Sequence, residues 1–438
     1  MPQYIDWFRH SSSYINAHRK KVFVVMLPGE ALSHENWYNI VHDITLLHSL
    51  GVKLVLVHGA RPQINSALED AGIHSNYHKG LRITDGPSLA IIKQIIGGLS
   101  IDIEALFSMG LANSPMHGAD IKLARGNFIV ARPLGVLDGV DHHLTGVVRK
   151  VNASAITQHL EKNNIVLISN LGYSPTGEVF NLSPEEVATE TAIALQAEKL
   201  IMFIPDEGIF DKDKQLISTL DPSSALEILS GADMSLKDES NSSALALSSA
   251  LKACRQNVHR THLISFEKNG ALIEELFTRD GCGTLLSKDT YEHLRDATID
   301  DVGGILELIE PLEEAGVLVH RSRELLEGEI DFFTVIEFEG MIIACAALYP
   351  LDDQCGEIAC IAIHRDYRGN GRGESLLEAI ELKAKKAKLQ QVIVLSTQTT
   401  HWFQEKGFVP IPVSDLPERK QKMYNFQRNS KALRKSLN

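Results

Sequence analysis

The sequence contains few cysteines and no long apolar segment. Its five cysteines are an odd number without regular spacing, which favours reduced thiols over a disulfide framework. No uncharged apolar run approaches the roughly 18 residues that a membrane helix requires. These absences predict a protein of the reducing cytoplasm with no membrane segment.

Metal ligands at a suitable spacing are also scarce. The pairs Cys355/Cys360 and His259/His262 lack two further ligands at the spacing of a zinc site, so we expect no bound metal. Lysines and arginines total 43 against 56 aspartates and glutamates, a net charge of −13. This balance disfavours binding to nucleic acid phosphates, and the basic stretch at 365–372 is a local exception.

The remaining composition is that of an ordinary globular protein. Hydrophobic residues make up 44% and charged residues 23% of the 438 positions, which argues against disorder. A chain of this length is expected to form two or three domains, each with its own core.

The first two thirds of the chain alternate short β-branched runs with helical patterns. Residues 1–20 have the spacing of an amphipathic helix. The runs that we predict as strands lie at 21–27, 53–59, 164–170, 198–205 and 260–266. This alternation predicts an αβα sandwich with a mostly parallel sheet over residues 21–285. Ligands of such sheets bind outside the carboxyl ends of the strands.

The pattern changes near residue 290. Residues 331–350 contain two β runs joined by a turn with Gly340, which predicts a hairpin. A further strand is predicted at 356–364. We therefore predict a linker at 286–291 and a second domain, of mixed α/β type, over 292–438.

The segment "HRDYRGNGRGESLLEAI" (364–380) joins this last strand to a predicted helix. Its glycines let successive backbone N–H groups face a ligand, and the start of a helix adds positive potential. The pattern predicts a phosphate or diphosphate site. A dinucleotide fingerprint is excluded because Glu374 replaces the last glycine, and a Walker loop because Gly-Lys-Ser/Thr is absent. A glycine-rich surface turn is the alternative.

The second domain resembles the GCN5-related N-acetyltransferases. The motif Arg-x-x-Gly-x-Gly follows a strand, and "RDATIDD", the hairpin and "HWFQEKGF" fit the same family. The resemblance implies acetyl-CoA as co-substrate, with its diphosphate bound by Arg368, Gly369, Asn370, Gly371, Arg372 and Gly373. It also implies that the preceding strand splays from its neighbour, so that the pantetheine pairs with the backbone of Ile361, Ala362 and Ile363.

The same resemblance implies a catalytic set. An ammonium must lose a proton before its nitrogen can attack a thioester. Glu357 matches the general-base position and would act through a water, and a backbone N–H near Cys360 matches an oxyanion donor. Many members carry a tyrosine as general acid where this chain has Phe403, so Ser396 or solvent must protonate the thiolate. The alternative for Glu357 is an ordinary surface carboxylate.

The first domain resembles the amino-acid kinase family and is most similar to acetylglutamate kinase. The likeness rests on "LVLVHGARPQINSALEDAGI", "GLRITDGPSLAIIK", "NLSPEEVATETAIALQAEKLI" and "ALIEELFTRDGCGT". A kinase-like domain followed by an acetyltransferase domain is the layout of the bacterial N-acetylglutamate synthases. The resemblance implies acetyl transfer to the α-amine of L-glutamate, the first step of arginine biosynthesis.

Kinase chemistry itself is not expected. Kinases of this family have Lys-x-Gly-Gly after the first strand, whereas this chain has Met26 at the lysine and Pro28 at the first glycine. Glu185 replaces the aspartate that organises the catalytic lysines. Because phosphoryl transfer depends on such cations and backbone donors, we predict a kinase fold without ATP chemistry.

The kinase resemblance implies an effector site for L-arginine. Lys199 and Glu275 match residues that hold arginine in arginine-sensitive kinases, together with the backbone at Cys282 and Gly283. A guanidinium needs carboxylate and carbonyl acceptors, and an α-carboxylate needs a lysine or N–H donor. Inhibition then requires that arginine bind one arrangement of the domains better than another. An ordinary surface ion pair is the alternative for these two side chains.

Glutamate carries two carboxylates, so its pocket needs cations, and arginine suits bidentate recognition. The resemblance implies a pocket formed by the backbone at Leu318 with Arg321, Arg323, Arg428 and Ser430. One of Arg321 and Arg323 is expected to be a solvated surface charge, and the sequence does not choose between them. The resemblance further implies a homo-oligomer, a hexameric ring whose N-terminal helices bridge subunits.

Two other functions stay open at this point. A working acetylglutamate kinase with an accessory domain predicts ADP release from ATP and acetylglutamate. A non-catalytic arginine sensor predicts arginine-dependent shifts in melting temperature without release of CoA.

Overall fold

The computed structural model describes residues 11–12, 14–109, 117–231, 242–278, 281–288, 292–338, 341–352, 354–368, 371–422, 424–425 and 430–437. The chain divides into two compact units, Met1–Asp289 and Thr290–Asn438. Of the predicted N-terminal helix, residues 11–12 and 14–18 are described and are helical. The exact domain boundaries stay predictions.

The first unit is built from strands separated by helices. Its strands are β1 (Val22–Leu27), β2 (Lys53–His58), β3 (Asn76–His78), β4 (Leu81–Ile83), β5 (Leu123–Ala124), β6 (Ile129–Pro133), β7 (Val136–Leu137), β8 (Val140–Asp141), β9 (Gly146–Val151), β10 (Ile165–Ser169), β11 (Leu171–Tyr173), β12 (Val179–Asn181), β13 (Lys199–Ile204), β14 (Thr219–Leu220), β15 (Arg260–Ser265) and β16 (Thr284–Ser287). Its helices are α1 (Gly29–Leu32), α2 (Trp37–Ser49), α3 (Arg61–Asp70), α4 (Gly86–Phe107), α5 (Ala153–Glu161), α6 (Pro184–Leu195), α7 (Pro222–Gly231), α8 (Ser242–Arg255) and α9 (Ala271–Phe277). The predicted linker at 286–291 begins inside β16, and its last three residues lie outside the described part.

The main sheet of the first unit has the order β14-β16-β15-β13-β1-β2-β10-β5. Its neighbours are parallel except for β15 and β16. Helices α5, α6 and α8 pack on one face, where Val24 and Val55 point, and α2, α4 and α9 pack on the other, with Phe23 and Leu54. The αβα sandwich is therefore confirmed.

The five strand predictions for this unit are confirmed to within one residue at each end, as β1, β2, β10, β13 and β15. Such runs are apolar along their whole length because helices cover both faces of a parallel sheet. A smaller sheet, β12-β11-β6-β9, extends the unit. Its strands of three to six residues carried no sequence pattern that predicted them.

His58, the last residue of β2, is fully buried. Its Nε2 lies 3.0 Å from the Ser100 hydroxyl, which itself donates to the Ile96 carbonyl, so the imidazole is a neutral donor there. Burial lowers the pKa of His58 to about 4. Its contribution to stability is therefore complete above the unfolded value of 6.5 and is lost as the pH falls from 6.5 towards 4.

Replacing His58 by glutamine should make the first unit less sensitive to acid. Between pH 7.5 and pH 5 the free energy of unfolding of the wild type is expected to fall by about 2 kcal/mol more than that of the variant, because the variant has no imidazole to protonate. The measurement is the melting midpoint at the two pH values. Equal acid shifts in both proteins would contradict the assignment.

The second unit has strands β17 (Glu292–Asp296), β18 (Phe333–Phe338), β19 (Met341–Pro350), β20 (Cys355–Ile363), β21 (Gln391–Ser396), β22 (Val409–Ile411) and β23 (Lys431–Ser436). Its helices are α10 (Val302–Glu314), α11 (Arg323–Glu329), α12 (Arg372–Lys386), α13 (Thr400–Glu405) and α14 (Glu418–Lys422). The sheet order is β17-β18-β19-β20-β21-β23-β22, and among these neighbours only β20 and β21 run parallel.

The two faces of this sheet are covered by different helices. Helices α10 and α11 pack on one face, against Cys360 and Ala362, and α12 packs on the other, beside Ile361 and Ile363. The hairpin β18–β19 and the strand β20 are confirmed as predicted, and the unit is the mixed α/β domain expected from the sequence.

Candidate active site and effector site

Strands β20 and β21 pair only over the first part of their length. Their register runs from Cys355 opposite Gln391 to Ile358 opposite Val394. Beyond this point β21 continues its pairing with β23, while β20 stays with β19 as far as Ile363. The two strands therefore separate towards their carboxyl ends, and the backbone of residues 361–363 borders the opening.

A β-bulge lies where the strands separate. Ala359 is opposite Ala347 and Ala362 is opposite Cys345, so Cys360 and Ile361 together face one residue of β19. Cys360 has a φ of +53°, in the left-handed region that few side chains adopt. A bulge takes one residue out of regular ladder pairing. The oxyanion role of a backbone N–H near Cys360 stays a prediction.

The phosphate loop ends at the start of α12. Gly371 is its N-cap residue, with φ +74° and ψ 3°, and the first turn of any helix has N–H groups without an acceptor inside the helix. Arg372 donates to the Tyr367 carbonyl over 3.0 Å and lies above its ring, which anchors the turn to a buried aromatic residue. Arg368 is exposed. The predicted ligands Gly369 and Asn370 lie outside the described residues.

The two described glycines of the loop are required for different reasons. A Cβ added to Gly371 would meet no atom within 4 Å, so only its positive φ demands glycine. A Cβ on Gly373 would lie 3.1 Å from the Trp402 ring, so that position demands a small residue.

Valine at position 371 is expected to raise the KM for acetyl-CoA about tenfold and to leave the KM for the amino acid within about twofold, because a β-branched residue resists the left-handed conformation. Steady-state kinetics in both substrates measure this. Gly407→Val is the matched control, since Gly407 also has a positive φ (+86°) in the same unit but lies outside the turn. A change confined to the amino-acid KM would show that the turn does not bind the carrier.

Glu357 lies in β20 at the point where the strands begin to separate, and it is 8% exposed. Its Oε2 accepts a hydrogen bond of 2.6 Å from Nζ of Lys420 in α14. A buried carboxylate bonded to a buried ammonium differs from the solvated surface carboxylate that was the alternative. The position fits a general base, and the lysine partner was not predicted.

Tyr349 lies directly opposite Glu357 on β19, so the two side chains share one face of the sheet. Its hydroxyl donates to Glu329 over 2.7 Å. Burial and this hydrogen bond raise the pKa of Tyr349, so the phenol keeps its proton. The Arg321 guanidinium interacts with the same phenol and lies close to the Cys360 thiol.

The structure separates the two candidate arginines. Burial opposes the charge of Arg321, but Cys360, Tyr349 and Glu329 outweigh burial and raise its pKa. Arg323 is exposed and pairs with Glu327 one turn along α11, at 2.9 Å. Arg321 therefore faces the bulge, whereas Arg323 makes a surface ion pair of the kind that contributes little.

A buried carboxylate holds the loop that carries Arg321. Glu313 accepts the backbone N–H of Arg321 at 3.0 Å and contacts the His320 ring at 2.8 Å. Leu318 donates its N–H to the Leu312 carbonyl and packs near Cys360. The predicted substrate residues Leu318 and Arg321 are thus brought to one side of β20.

The remaining predicted residues lie at the end of β21 and near β23. Ser396 is the last residue of β21, and its hydroxyl accepts the N–H of Thr399 at 3.0 Å. The Ser430 carbonyl accepts the Tyr424 hydroxyl at 2.6 Å, and both residues are buried. Arg428 lies outside the described residues. The role of Ser396 as an acid stays a prediction.

In the first unit the predicted effector residues form one buried chain of contacts. Nζ of Lys199 lies 3.4 Å from Nε2 of His262, and Nδ1 of His262 lies 2.7 Å from Oε1 of Glu275. The other oxygen of Glu275 accepts the N–H groups of Cys282 (2.8 Å) and Gly283 (2.9 Å). His262 was considered only as a metal ligand; its role as the link was missed.

The electrostatics of this cluster follow from its contacts. Burial and the Lys199 ammonium lower the pKa of His262, so a neutral ring accepts from Lys199 and donates to Glu275. Burial alone would raise the pKa of Glu275, but the hydrogen bonds from His262 and the two backbone N–H groups lower it to about 2. The cluster therefore presents a cation and a carboxylate separated by a neutral imidazole.

The loop around Glu275 is closely fitted. A Cβ added to Gly281 would lie 2.5 Å from Oε2 of Glu275, and one added to Gly283 would lie 2.3 Å from the Leu263 carbonyl oxygen.

His18, in the described part of the N-terminal helix, contacts the Leu276 carbonyl at 2.8 Å, and burial with the nearby Lys199 charge lowers its pKa to about 3.

Comparisons with known proteins identify the families of the two units. The chain matches the amino acid kinase family over residues 21–265 and the acetyltransferase (GNAT) family over residues 288–408. Amino-acid acetyltransferases from Ectopseudomonas mendocina and Pseudomonas putida are each 52% identical over 438 residues, which is 100% of both chains. The chain belongs to the amino-acid acetyltransferase family. It is an acetyltransferase enzyme, as the resemblance of the second domain implied.

The structure of this amino-acid acetyltransferase is similar to that of a relative solved with bound ligands. N-acetylglutamate synthase from Neisseria gonorrhoeae complexed with coenzyme A and L-arginine has a TM-score of 0.88 and 35% identity, with 99% of both chains covered. The same relative complexed with coenzyme A and N-acetyl-glutamate has a TM-score of 0.62 and 36% identity over 100% of both chains.

The first unit has a cleft beside the carboxyl ends of β1, β2 and β10. Pro28, Gly29, Arg61, Arg82 and Glu185 lie along it, and none of its described lining residues is a lysine. A Cβ on Gly29 would meet the Arg61 backbone N at 2.8 Å, so the turn after β1 is closely packed. The loss of ATP chemistry stays a prediction.

Two negative findings apply to the described residues. Within them, no group of three or more histidine, cysteine, aspartate or glutamate side chains could hold a metal ion. No helix in the same part of the chain is long and apolar enough to cross a membrane.

Proposed function

We propose that this enzyme transfers the acetyl group of acetyl-CoA to the α-amine of L-glutamate and that L-arginine inhibits it through the first unit. The observation that carries the proposal is the separation of β20 from β21 beside the glycine-capped start of α12, with Glu357 on the same strand. The N-acetylglutamate synthase of Neisseria gonorrhoeae, complexed with coenzyme A, supports the choice of co-substrate.

The carrier is assigned to the opening between the strands. The backbone of Ile361–Ile363 offers pairing groups to the amides of a pantetheine, as an added strand would. The diphosphate is assigned to the turn from Arg368 to Gly373, where N–H groups and the helix dipole favour negative charge. The thioester then lies near the bulge at Cys360.

Acyl transfer to an ammonium removes two protons from its nitrogen, returns one to the thiolate and releases one. We assign Glu357 to accept a proton of the substrate ammonium, through a water, so that the nitrogen lone pair can attack the thioester carbon. A backbone N–H of the bulge stabilises the oxyanion. The carbon–sulfur bond then breaks and the nitrogen releases its second proton to solvent. The leaving thiolate takes a proton from solvent, or from Ser396, which then regains one from solvent.

The amino-acid substrate is assigned to the face of the sheet that carries Tyr349 and Glu357. We favour Arg321 over Arg323 as a carboxylate receptor because Arg321 faces the bulge and Arg323 makes an exposed ion pair. Arg428, Ser430 and the Leu318 backbone stay in the proposal. The N-acetyl-glutamate in the Neisseria gonorrhoeae relative supports a dicarboxylate substrate.

The effector is assigned to the Lys199–His262–Glu275 cluster. Lys199 offers a cation for an α-carboxylate, and Glu275 uses three of the roughly four acceptor positions of a carboxylate, which leaves capacity for a guanidinium or ammonium. L-arginine carries an α-carboxylate, an α-ammonium and a guanidinium. The complex of the Neisseria gonorrhoeae relative with L-arginine supports this ligand.

Release of CoA tests the proposed reaction. Purified enzyme with acetyl-CoA should release free thiol with L-glutamate and not with L-ornithine or L-lysine, since cations in the pocket repel a second ammonium. Turnover with glutamate no faster than with these controls would exclude the substrate assignment. ADP release from ATP and acetylglutamate would support the kinase alternative, and arginine-dependent melting without CoA release would support a sensor.

We further assign the enzyme to the cytoplasm and to a homo-oligomer. All five cysteines are free thiols, which suits a reducing compartment. The hexamer with N-terminal helices between subunits follows from the family layout, and light scattering of the purified enzyme measures it.

A further inference from the structure

We propose that Lys420 is the receptor for the α-carboxylate of the amino-acid substrate, and that substrate binding moves its ammonium from Glu357 to that carboxylate, which frees the base. The inference rests on the proposed function, because it takes Glu357 as the general base. It adds a specificity residue in α14 that neither the loop motif nor the substrate predictions contained.

The starting observation is the pair itself. Nζ of Lys420 lies 2.6 Å from Oε2 of Glu357, and the side chains are only 16% and 11% exposed. Such a charge-assisted bond uses one of the acceptor positions of the carboxylate. The Lys420 ammonium occupies one side of Glu357, so the bond must weaken for the substrate ammonium to take that place.

Charge balance at the site indicates what weakens the bond between Lys420 and Glu357. The substrate ammonium must come within one water of Glu357, which would put two ammonium groups against one carboxylate. The substrate also brings carboxylates, and an ammonium moves to whichever anion completes the better arrangement. A dicarboxylate can therefore accept the Lys420 ammonium at the moment when its own ammonium takes the place beside Glu357.

Geometry assigns the two carboxylates to different cations. The α-carboxylate is bonded to the same carbon as the reacting amine, so it must lie close to the base. Lys420 touches Glu357 directly, whereas Arg321 reaches this face through Tyr349, the residue opposite Glu357. Of these two described cations, Lys420 lies nearer to the α-carboxylate position, and Arg321 is left for the side-chain carboxylate.

The test compares three substrates in variants of one helix. L-Isoglutamine lacks the α-carboxylate charge and keeps the side-chain one, and L-glutamine is the reverse. Lys420→Met should raise the KM for glutamate about 10- to 100-fold and leave the KM for acetyl-CoA within about twofold. The ratio of kcat/KM for glutamate to that for isoglutamine should fall to a few-fold. The ratio of kcat/KM for glutamate to that for glutamine should stay at the wild-type value.

Two further variants separate a binding role from a structural one. Lys420→Arg keeps a cation and should recover most of the KM for glutamate. Lys422→Met removes an exposed cation of the same helix and should behave as wild type. If Lys420→Met keeps the wild-type preference over isoglutamine, or loses the preference over glutamine instead, the assignment is overturned.

Removing one partner of a buried ion pair can impair folding, so a second comparison avoids the unpaired charge. Glutamate binding is measured by calorimetry for Glu357→Gln and for Glu357→Gln with Lys420→Met. The double variant should bind glutamate about tenfold more weakly and isoglutamine equally well; equal glutamate affinity would overturn the proposal. Failure of the proposed function is distinct, because wild-type enzyme would then release no CoA with glutamate.

Discussion

Replacing Glu357 by glutamine is expected to lower kcat about 10²- to 10⁴-fold at neutral pH, the usual contribution of a positioned general base. The amide preserves the size of the side chain and can still accept a hydrogen bond from Lys420, but it cannot take a proton from the substrate ammonium. The KM for acetyl-CoA should stay within a few-fold, because the carrier is assigned to the backbone of 361–363 and to the loop at 368–373.

The pH dependence distinguishes a chemical role from a structural one. Without a base, the reaction depends on the fraction of substrate amine that is already unprotonated, so the rate of the Glu357→Gln variant should rise with pH up to the pKa of that amine. Glu310→Gln, which removes an exposed carboxylate from α10 of the same unit, should leave the profile unchanged. Full activity of Glu357→Gln at neutral pH would exclude Glu357 as the base.

The second large effect is expected on arginine inhibition. Lys199→Met should raise the arginine concentration for half-inhibition about 10- to 100-fold, because the effector carboxylate loses a charge-assisted bond in a buried site. Glu275→Gln should have a similar effect through the guanidinium or ammonium. In both variants kcat without arginine should stay within about threefold of wild type, since neither residue belongs to the acetyltransferase unit.

Inhibition curves at fixed substrate concentrations measure this effect. Lys252→Met serves as the control, because Lys252 pairs with Glu190 in the same unit and is half-exposed. Direct binding of arginine by calorimetry separates weaker binding from weaker coupling, since coupling is a free energy shared between the two sites. Unchanged half-inhibition in both Lys199→Met and Glu275→Gln would place the effector elsewhere.

Much of the fold could be predicted because the relevant patterns are local. The strands β1, β2, β10, β13 and β15 are continuous apolar runs, and their helices end at recognisable boundaries. The phosphate turn could be predicted for the same reason, since Gly371 takes a positive φ that glycine adopts without cost. The small strands β5, β7, β8 and β14 have two residues each and too little pattern for any periodicity.

The charged contacts of the sites could be predicted only in part. Glu357 was recognised from its position before the loop, but Lys420 lies 63 residues away within the basic run "ERKQK", where no feature marks one lysine. His262 lies in β15, next to β13, which carries Lys199, and only the parallel register of these strands brings the two side chains together. Arg321 and Arg323 could not be ranked because they differ in burial and not in type.

The sequence by itself determined the two folds, the order of their strands and helices, the glycine turn before α12 and the absence of the kinase lysine, because each depends on residues close together in the chain. The tertiary structure alone decided that β20 separates from β21, that Lys420 contacts Glu357, and that His262 joins Lys199 to Glu275. Strand register decides which side chains meet. Burial decides how strongly two charges interact, because it excludes water. No local pattern contains either piece of information.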